Sequence, residues 1–282
     1  MTTPLLTLLP DGSRPRTETL EFLTDVSIAL NGTERRVPLR AFPRRTYTSQ
    51  FTFLDDQARA QRDVLRYADR VVFPLAMHQL PAEATAADAG VGAGSVYLSR
   101  RKNGTYVLVS APRYEWPLSA AIYPCTEGRI APSRTITHHS AGVSSAVMSF
   151  TVEDLDEAIA PWGGEVALDG KPVWPVRADW STEASERVDD FFDSADFGHR
   201  TLREVRYSKR VISVSLLLIG RPAILDFRRL VFTLRGRCKP FRYTFEPDGF
   251  ERVWRLNTDS VSIDYLRPSL ARVELEFLEI EE

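Results

Sequence analysis

Cysteine is nearly missing from this chain: two in 282 residues, Cys125 and Cys238, far apart and without CxxC spacing. A disulfide framework needs many more, so the expectation is two unpaired thiols in a protein made in a reducing cytosol. Histidine is scarce too, with four copies, His78, His138, His139 and His199. Adjacent residues on a strand point to opposite faces, so His138 and His139 are poorly placed to grip one metal, and no HExxH spacing accompanies them. An exposed or subunit-contact role is expected for the pair. Charge of one sign is also lacking. Thirty-six Lys and Arg face 38 Asp and Glu, a net charge of −2. That excludes a broad basic surface for nucleic acid while leaving room for local patches. Long apolar runs are absent as well. Met1 to Pro10 is mildly apolar, but it has no basic start and no cleavage pattern, and Asp11 and Arg14 interrupt it soon after. Neither a signal peptide nor a spanning helix is expected, and no membrane insertion.

Catalytic spacing is the last thing missing. Gly90 to Gly94 read GVGAG, but a phosphate-binding loop needs a buried strand before it and a helix after it. Here the flanks are an alanine-rich loop and a strand. Asp55-Asp56 fits a helix cap, and Asp189-Asp190 fits a solvated helix face, better than either fits a hydrolytic pair. The expectation is a protein that is not an enzyme, with no catalytic residue, no cofactor and no metal.

What is present is an ordinary globular composition, 43% hydrophobic and 26% charged, on a chain long enough for two modest domains. The informative signal is internal repetition. Arg45 can be placed over Arg210. Tyr47, Ser49, Phe51 and Phe53 then alternate with polar residues, and Ile212, Val214, Leu216 and Leu218 do so at the same parity. Both runs read as half-buried strands. A helix follows each. The first starts near Asp55 and Asp56 and buries Leu54, Ala58, Leu65 and Ala68. The second starts at Pro222, buries Ile224, Phe227, Val231 and Leu234, and ends at Gly236. Each runs into a short aromatic strand with a proline, Val71 to Pro74 and Pro240 to Phe245. Closing strands complete the copies, at Val147 to Val152 and Val273 to Glu279, in the alternation of an antiparallel sheet with one wet face.

An insert splits the first copy. After Ala- and Gly-rich sequence, two β-prone runs flank Asn103-Gly104, a hairpin signal. Further strands around Ala121 to Tyr123 and Arg134 to Thr137 would complete a small barrel-like domain. Pro161 to Gly164 and Lys171 to Pro175 read as a linker or long ordered loop, and Ser181 to Asp196 reads as acidic and partly helical. The expected organisation is an N-terminal arm over 1–16, free to dock on a neighbouring subunit, and a first domain over 17–77 with 144–160. An inserted β domain over 78–143, a linker over 161–184 and a second domain over 185–282 follow. The fold class is mainly β with flanking helices (α+β).

Arginine clusters on both copies: Arg35, Arg36, Arg40, Arg44 and Arg45, then Arg200, Arg203, Arg206 and Arg210. They could form a subunit interface, line a channel that passes DNA without base specificity, or belong to a generic solvated surface. The sequence leaves these open.

The run Thr24-Asp25-Val26, then Asn31 to Arg40, then Pro43-Arg44-Arg45 resembles the opening of tail proteins from tailed bacteriophages. Ile122-Tyr123-Pro124, Val147 to Val152 and Pro172 to Pro175 resemble their centre, and Phe241 to Phe245 with the strand to Ile280 resembles their C-terminal half. The resemblance implies a distal-tail or baseplate protein on the tail-tube fold, a β-sandwich flanked by a helix. Such domains assemble edge to edge into a six-membered ring around the DNA channel. It carries over no catalytic residue. Two such domains on one chain depart from the single domain of simple distal-tail proteins, so three chains could supply six domains, or six chains could give two stacked rings.

The expected function is therefore a structural virion protein of the tail tip, made in the bacterial cytoplasm. Its partners would be itself as a trimeric or hexameric ring, the tail tube protein, baseplate hub or tail-tip proteins and receptor-binding proteins, with DNA only passing through. One alternative is a hub subunit adapting sixfold to threefold symmetry. Another is a carbohydrate-binding attachment protein, with Tyr97, Tyr106, Tyr114 and Trp116 of the insert as sugar-stacking aromatics; the competing role for these four is barrel core.

Overall fold

A computed structural model describes residues 3–6, 8–11, 16–29, 34–54, 56–75, 96–100, 106–108, 122–140, 142–152, 161–197, 200–245, 247 and 249–280. Within these, 56–58, 96–100, 106–108, 122–124, 190–197 and 200–207 are described by their backbone alone. The protein is mainly β. Strands hold 57% of it, against roughly 20–25% in ordinary soluble proteins, so helices can only flank sheet.

The elements in chain order are β1 (Arg16–Glu21), β2 (Thr24–Ile28), β3 (Glu34–Pro38), β4 (Arg44–Phe53), α1 (Asp56–Tyr67) and β5 (Arg70–Pro74). Next come β6 (Val96–Arg100), β7 (Tyr106–Leu108), β8 (Ile122–Ile130), β9 (Thr135–Ser140) and β10 (Val143–Val152). The chain continues through β11 (Trp180–Phe197), β12 (Arg200–Ile219), α2 (Arg221–Leu234), β13 (Phe241–Thr244), β14 (Glu251–Leu256), β15 (Ser260–Arg267) and β16 (Leu270–Glu279). They divide between two compact units. The first holds Met1–Thr19, Arg44–Ala158 and Asp264–Pro268; the second holds Leu20–Pro43, Ile159–Ile263 and Ser269–Glu282.

In the first unit, β4 pairs antiparallel with β10, β10 with β8 and β9, and β8 with β5. The strand alternation anticipated for β4 is realised: Tyr47, Ser49, Phe51 and Phe53 are all buried. They meet Met148, Phe150 and Val152 of β10, also buried. Phe73 of β5 stacks on Phe150 with ring centroids 4.5 Å apart, and Phe51 meets the same ring edge-on at 6.0 Å. These aromatics form the core of this unit.

In the second unit, β12 pairs antiparallel with β16, β16 with β14, and β14 with β13; β15 also stands beside β16. Helix α2 contributes Ile224, Phe227, Val231 and Leu234 to the core, as its spacing predicts. Pro222 sits in its first turn, and Arg235 (φ 55°) and Gly236 (φ 63°) end it in left-handed conformation. Gly236 is obligatory on two counts, because a Cβ there would stand 2.6 Å from Asp259 Oδ1 and 2.9 Å from Phe22 Cβ. Beside these strands, β2 and β3 form a separate two-stranded sheet.

The two units repeat one topology. Opening strand, helix, short strand, and then three more strands recur as β4-α1-β5-β8-β9-β10 and β12-α2-β13-β14-β15-β16. Register agrees as well as order. Tyr47 stands opposite Phe150, and Ile212 opposite Phe277. Phe150 in turn stands opposite Ile130, and Phe277 opposite Leu256. The superposition of Arg45 on Arg210, read from sequence alone, therefore matches strand pairing residue by residue.

Several expectations are corrected. The segment 161–184 is no linker: it belongs to the second unit, and Trp174 is 3% exposed. The Trp174 N–H donates to Arg242 O at 2.7 Å, and the Arg242 N–H donates to Pro172 O at 2.9 Å. Trp174 thereby packs against Phe277 at 4.7 Å and Phe241 at 5.2 Å. The flanking prolines disguise an edge segment, where a missing N–H is tolerated. Residues 181–196, expected as partly helical, lie in β11, because pairing along β12 overrides a weak local preference.

The N-terminal arm docks on its own unit. Leu6 is fully buried, its N–H donates to Val72 O at 2.8 Å, and the Asp11 N–H donates to Gln50 O at 2.7 Å. The insert is also narrower than 78–143. β8 and β9 are repeat strands, since β8 pairs β5 through Cys125–Arg129 and β9 pairs β10. The expected hairpin does form, with Leu98 opposite Leu108 and Arg100 opposite Tyr106, and β6 joins β8 in parallel. Leu54 is 64% exposed and not part of a buried helix face, while Leu65 is buried. Asp55 lies outside the described residues, as does the side chain of Ala58.

Candidate functional site

The most unusual surface is the hairpin of β11 and β12. The two strands pair along their whole length, from Trp180 opposite Leu218 to Phe197 opposite Arg200. β12 pairs with β16 only over Val211–Ile219. Beyond that, Val188–Phe197 and Arg200–Arg210 form a ribbon with no third strand among the described residues. At about 3.4 Å per residue, ten residues reach about 34 Å. A two-stranded ribbon is marginal alone in water.

β11 is also an open edge. It ends the strand order, and Ser181–Val188 are exposed on both faces. Thr182, Ala184 and Glu186 stand opposite Leu216, Val214 and Ile212, which are buried, yet are themselves exposed. A cavity of about 340 Å³ lies against β11, lined among others by Thr182, Ala184, Trp180, Tyr243 and Phe245. The indole N–H of Trp180 is buried there without an acceptor among the described residues.

The arginines expected to act together do not share one environment. Arg36 of β3 is tied inward: its guanidinium donates to Glu34 at 2.5 and 2.9 Å and to Arg237 O at 2.9 Å. Arg210 pairs with Glu186 and lies over the rings of Phe245 and Trp254, 5.3 and 5.7 Å from their centroids. Arg45 is buried, whereas Arg35 and Arg44 are exposed. Arg40 reaches Glu21 O at 3.5 Å. The backbones of Arg200, Arg203 and Arg206 lie in β12, and their side chains lie outside what is described. The same holds for Tyr97 and Tyr106 on β6 and β7, and Tyr114 and Trp116 lie wholly outside.

Two charged centres were not anticipated. Glu34 holds Arg36 and Lys209, with Arg255 at 3.6 Å. Burial alone would raise its pKa, but the hydrogen bonds from Lys209 and Arg36 outweigh it and hold the carboxyl below its ordinary value. The pKa of Arg255 is lowered too, first by burial, which disfavours its charged form, and then by the charge of Arg36. In the first unit, Glu18 is fully buried and accepts hydrogen bonds from the hydroxyls of Tyr47 and Tyr265, both at 2.8 Å. Residues so distant in sequence leave no local signal. Only the pairing of β strands brings them together.

His138 and His139 are both exposed on β9, and His139 Nε2 lies 2.8 Å from Ser145 Oγ. Among the described residues, no three His, Cys, Asp or Glu are placed to share a metal ion. Among the same residues, no helix is long and apolar enough to cross a membrane. Cys125 is buried, which pushes its thiol pKa up to about 12, and neither cysteine forms a disulfide. No family model matches the chain, and no curated protein matches it.

Proposed function

We propose that this protein is a structural ring component of a bacteriophage tail tip, built from two tail-tube-like β-sandwich domains, each flanked by a helix. In this reading it joins the tail tube to hub and receptor-binding proteins, and DNA only passes through the ring. The supporting observation is the open, ribbon-extended edge of β11 on a chain that repeats its topology. A long free strand edge is a hazard for a solitary protein, and closed symmetric assembly removes it. Three chains would supply six domains, which fits a hub adapting sixfold to threefold symmetry; six chains would supply two layers.

Native mass spectrometry and negative-stain images of the purified protein at micromolar concentration test the proposal. A discrete trimer or hexamer with a central opening is expected. A monomer at every concentration would refute it.

A further inference from the structure

The repeat also nominates the strands that meet between subunits. Resting on the assembly reading above, we infer that the open edge of β11 in one chain pairs with β9 of a second copy of the same chain.

The argument compares equivalent edges. In the first unit, β4 has β10 on one side and β1 on the other, and the far edge of β1 is taken by the end of β15. There the Thr17 hydroxyl donates to Asp264 at 2.6 Å and the Tyr265 hydroxyl donates to Glu18 at 2.8 Å. With that edge closed, Glu18 is 0% exposed. In the second unit, β12 has β16 on one side and β11 on the other, and among the described residues β11 has no further neighbour. β11 thus occupies the place of β1 and lacks the strand that β1 has.

The kind of strand required follows from the same comparison. β15 is the strand beside the closing strand β16. Its counterpart in the other copy of the repeat is β9, beside the closing strand β10. Among the described residues β9 pairs with β10 alone, and every residue but Ile136 is exposed. Among its described residues each chain therefore carries one uncovered edge of each kind, and the two are complementary.

Charge argues against β11 meeting another β11. The sequence of that strand holds Glu183, Glu186, Asp189, Asp190, Asp193 and Asp196 against Arg187 alone, whereas β9 holds no carboxylate and contributes His138 and His139. Like charges placed directly opposite destabilise a strand pair. A head-to-tail contact between unlike edges closes into a ring when its rotation permits.

Variants with one added cysteine in a Cys238→Ser background, where only the buried Cys125 remains, test this, with Ser185→Cys or Glu183→Cys on β11 and Thr137→Cys or His139→Cys on β9. Facing Cα atoms on paired strands stand about 4.5–5.5 Å apart, within disulfide range. Mixing a β11 variant with a β9 variant under mild oxidation should give a cross-linked dimer on a non-reducing gel, at least five-fold above either variant alone. Ala184→Pro and Ser185→Pro supply a second readout. One of two neighbouring N–H groups points outward, so the variant that keeps the native circular dichroism should lose assembly.

Oligomers that form without a β11–β9 cross-link, or a β11 variant that cross-links mainly to itself, would overturn the edge assignment and leave the assembly reading standing. Absence of any oligomer in native mass spectrometry would overturn both.

Discussion

Replacing Glu34 by Gln removes the carboxylate that holds Arg36 and Lys209 and lies 3.6 Å from Arg255. The Glu34 side chain is 10% exposed, Arg36 6% and Lys209 17%, so the surface value of ~0–1 kcal/mol for an ion pair does not apply. Breaking a fully buried pair costs ~3–5 kcal/mol, because the remaining charge has no counterion. Residual exposure places Glu34→Gln near the lower end, about 3 kcal/mol. With an m-value near ~2 kcal/mol/M, the urea midpoint of the second unit should fall by about 1.5 M. Trp174, Trp180 and Trp254 are buried in that unit, so tryptophan fluorescence reports its unfolding. The sign with pH follows from the lowered pKa of Glu34. Its contribution is present above the ordinary value of 4.5 and is lost as pH falls through the lowered folded value. Wild type and variant should therefore differ fully at neutral pH and converge on acidification. Adding Lys209→Met should recover part of the loss by removing one of the cations that Glu34 holds. A midpoint unchanged at neutral pH, or a gap that does not narrow in acid, would refute the argument.

Gly236→Ala should cost about 2–3 kcal/mol by urea unfolding, from a positive φ and from displacing Asp259. Asp259 accepts from the N–H and hydroxyl of Thr24 and from the N–H and Nε of Arg237; a loss below about 0.5 kcal/mol would mean this contact yields easily. Phe73→Ala should destabilise the first unit by about 3–5 kcal/mol, because it empties the position stacked on Phe150. Wild-type thermal stability in that variant would refute the packing description. Native alkylation at pH 8, read by peptide mass spectrometry, should modify the half-buried Cys238 and spare Cys125, whose thiol is buried with a pKa near 12. Equal labelling of both would show that β8 opens readily.

Local patterning was enough for the parts of this protein whose side chains alternate against one core. β4, β12, β10, β16 and α2 announce themselves through period-two or helical spacing, and even the registration of Arg45 on Arg210 was legible there. It failed where chain neighbours say nothing about the partner. Trp174 looked like a linker residue between prolines, yet pairing with Arg242 carries it into a core. β11 looked acidic and partly helical, since its inward residues Thr182, Ala184 and Glu186 make no run of large apolar side chains; only hydrogen bonding to β12 makes it a strand. The arginines were countable in sequence, but whether each meets a carboxylate, an aromatic ring or solvent depends on strands far away in the chain. Sequence by itself determined the repeat and its hydrophobic faces, because these depend on the order of residues along one element. Tertiary structure alone decided which edges are closed and which remain open, because an edge is a property of pairing between strands and not of any strand alone.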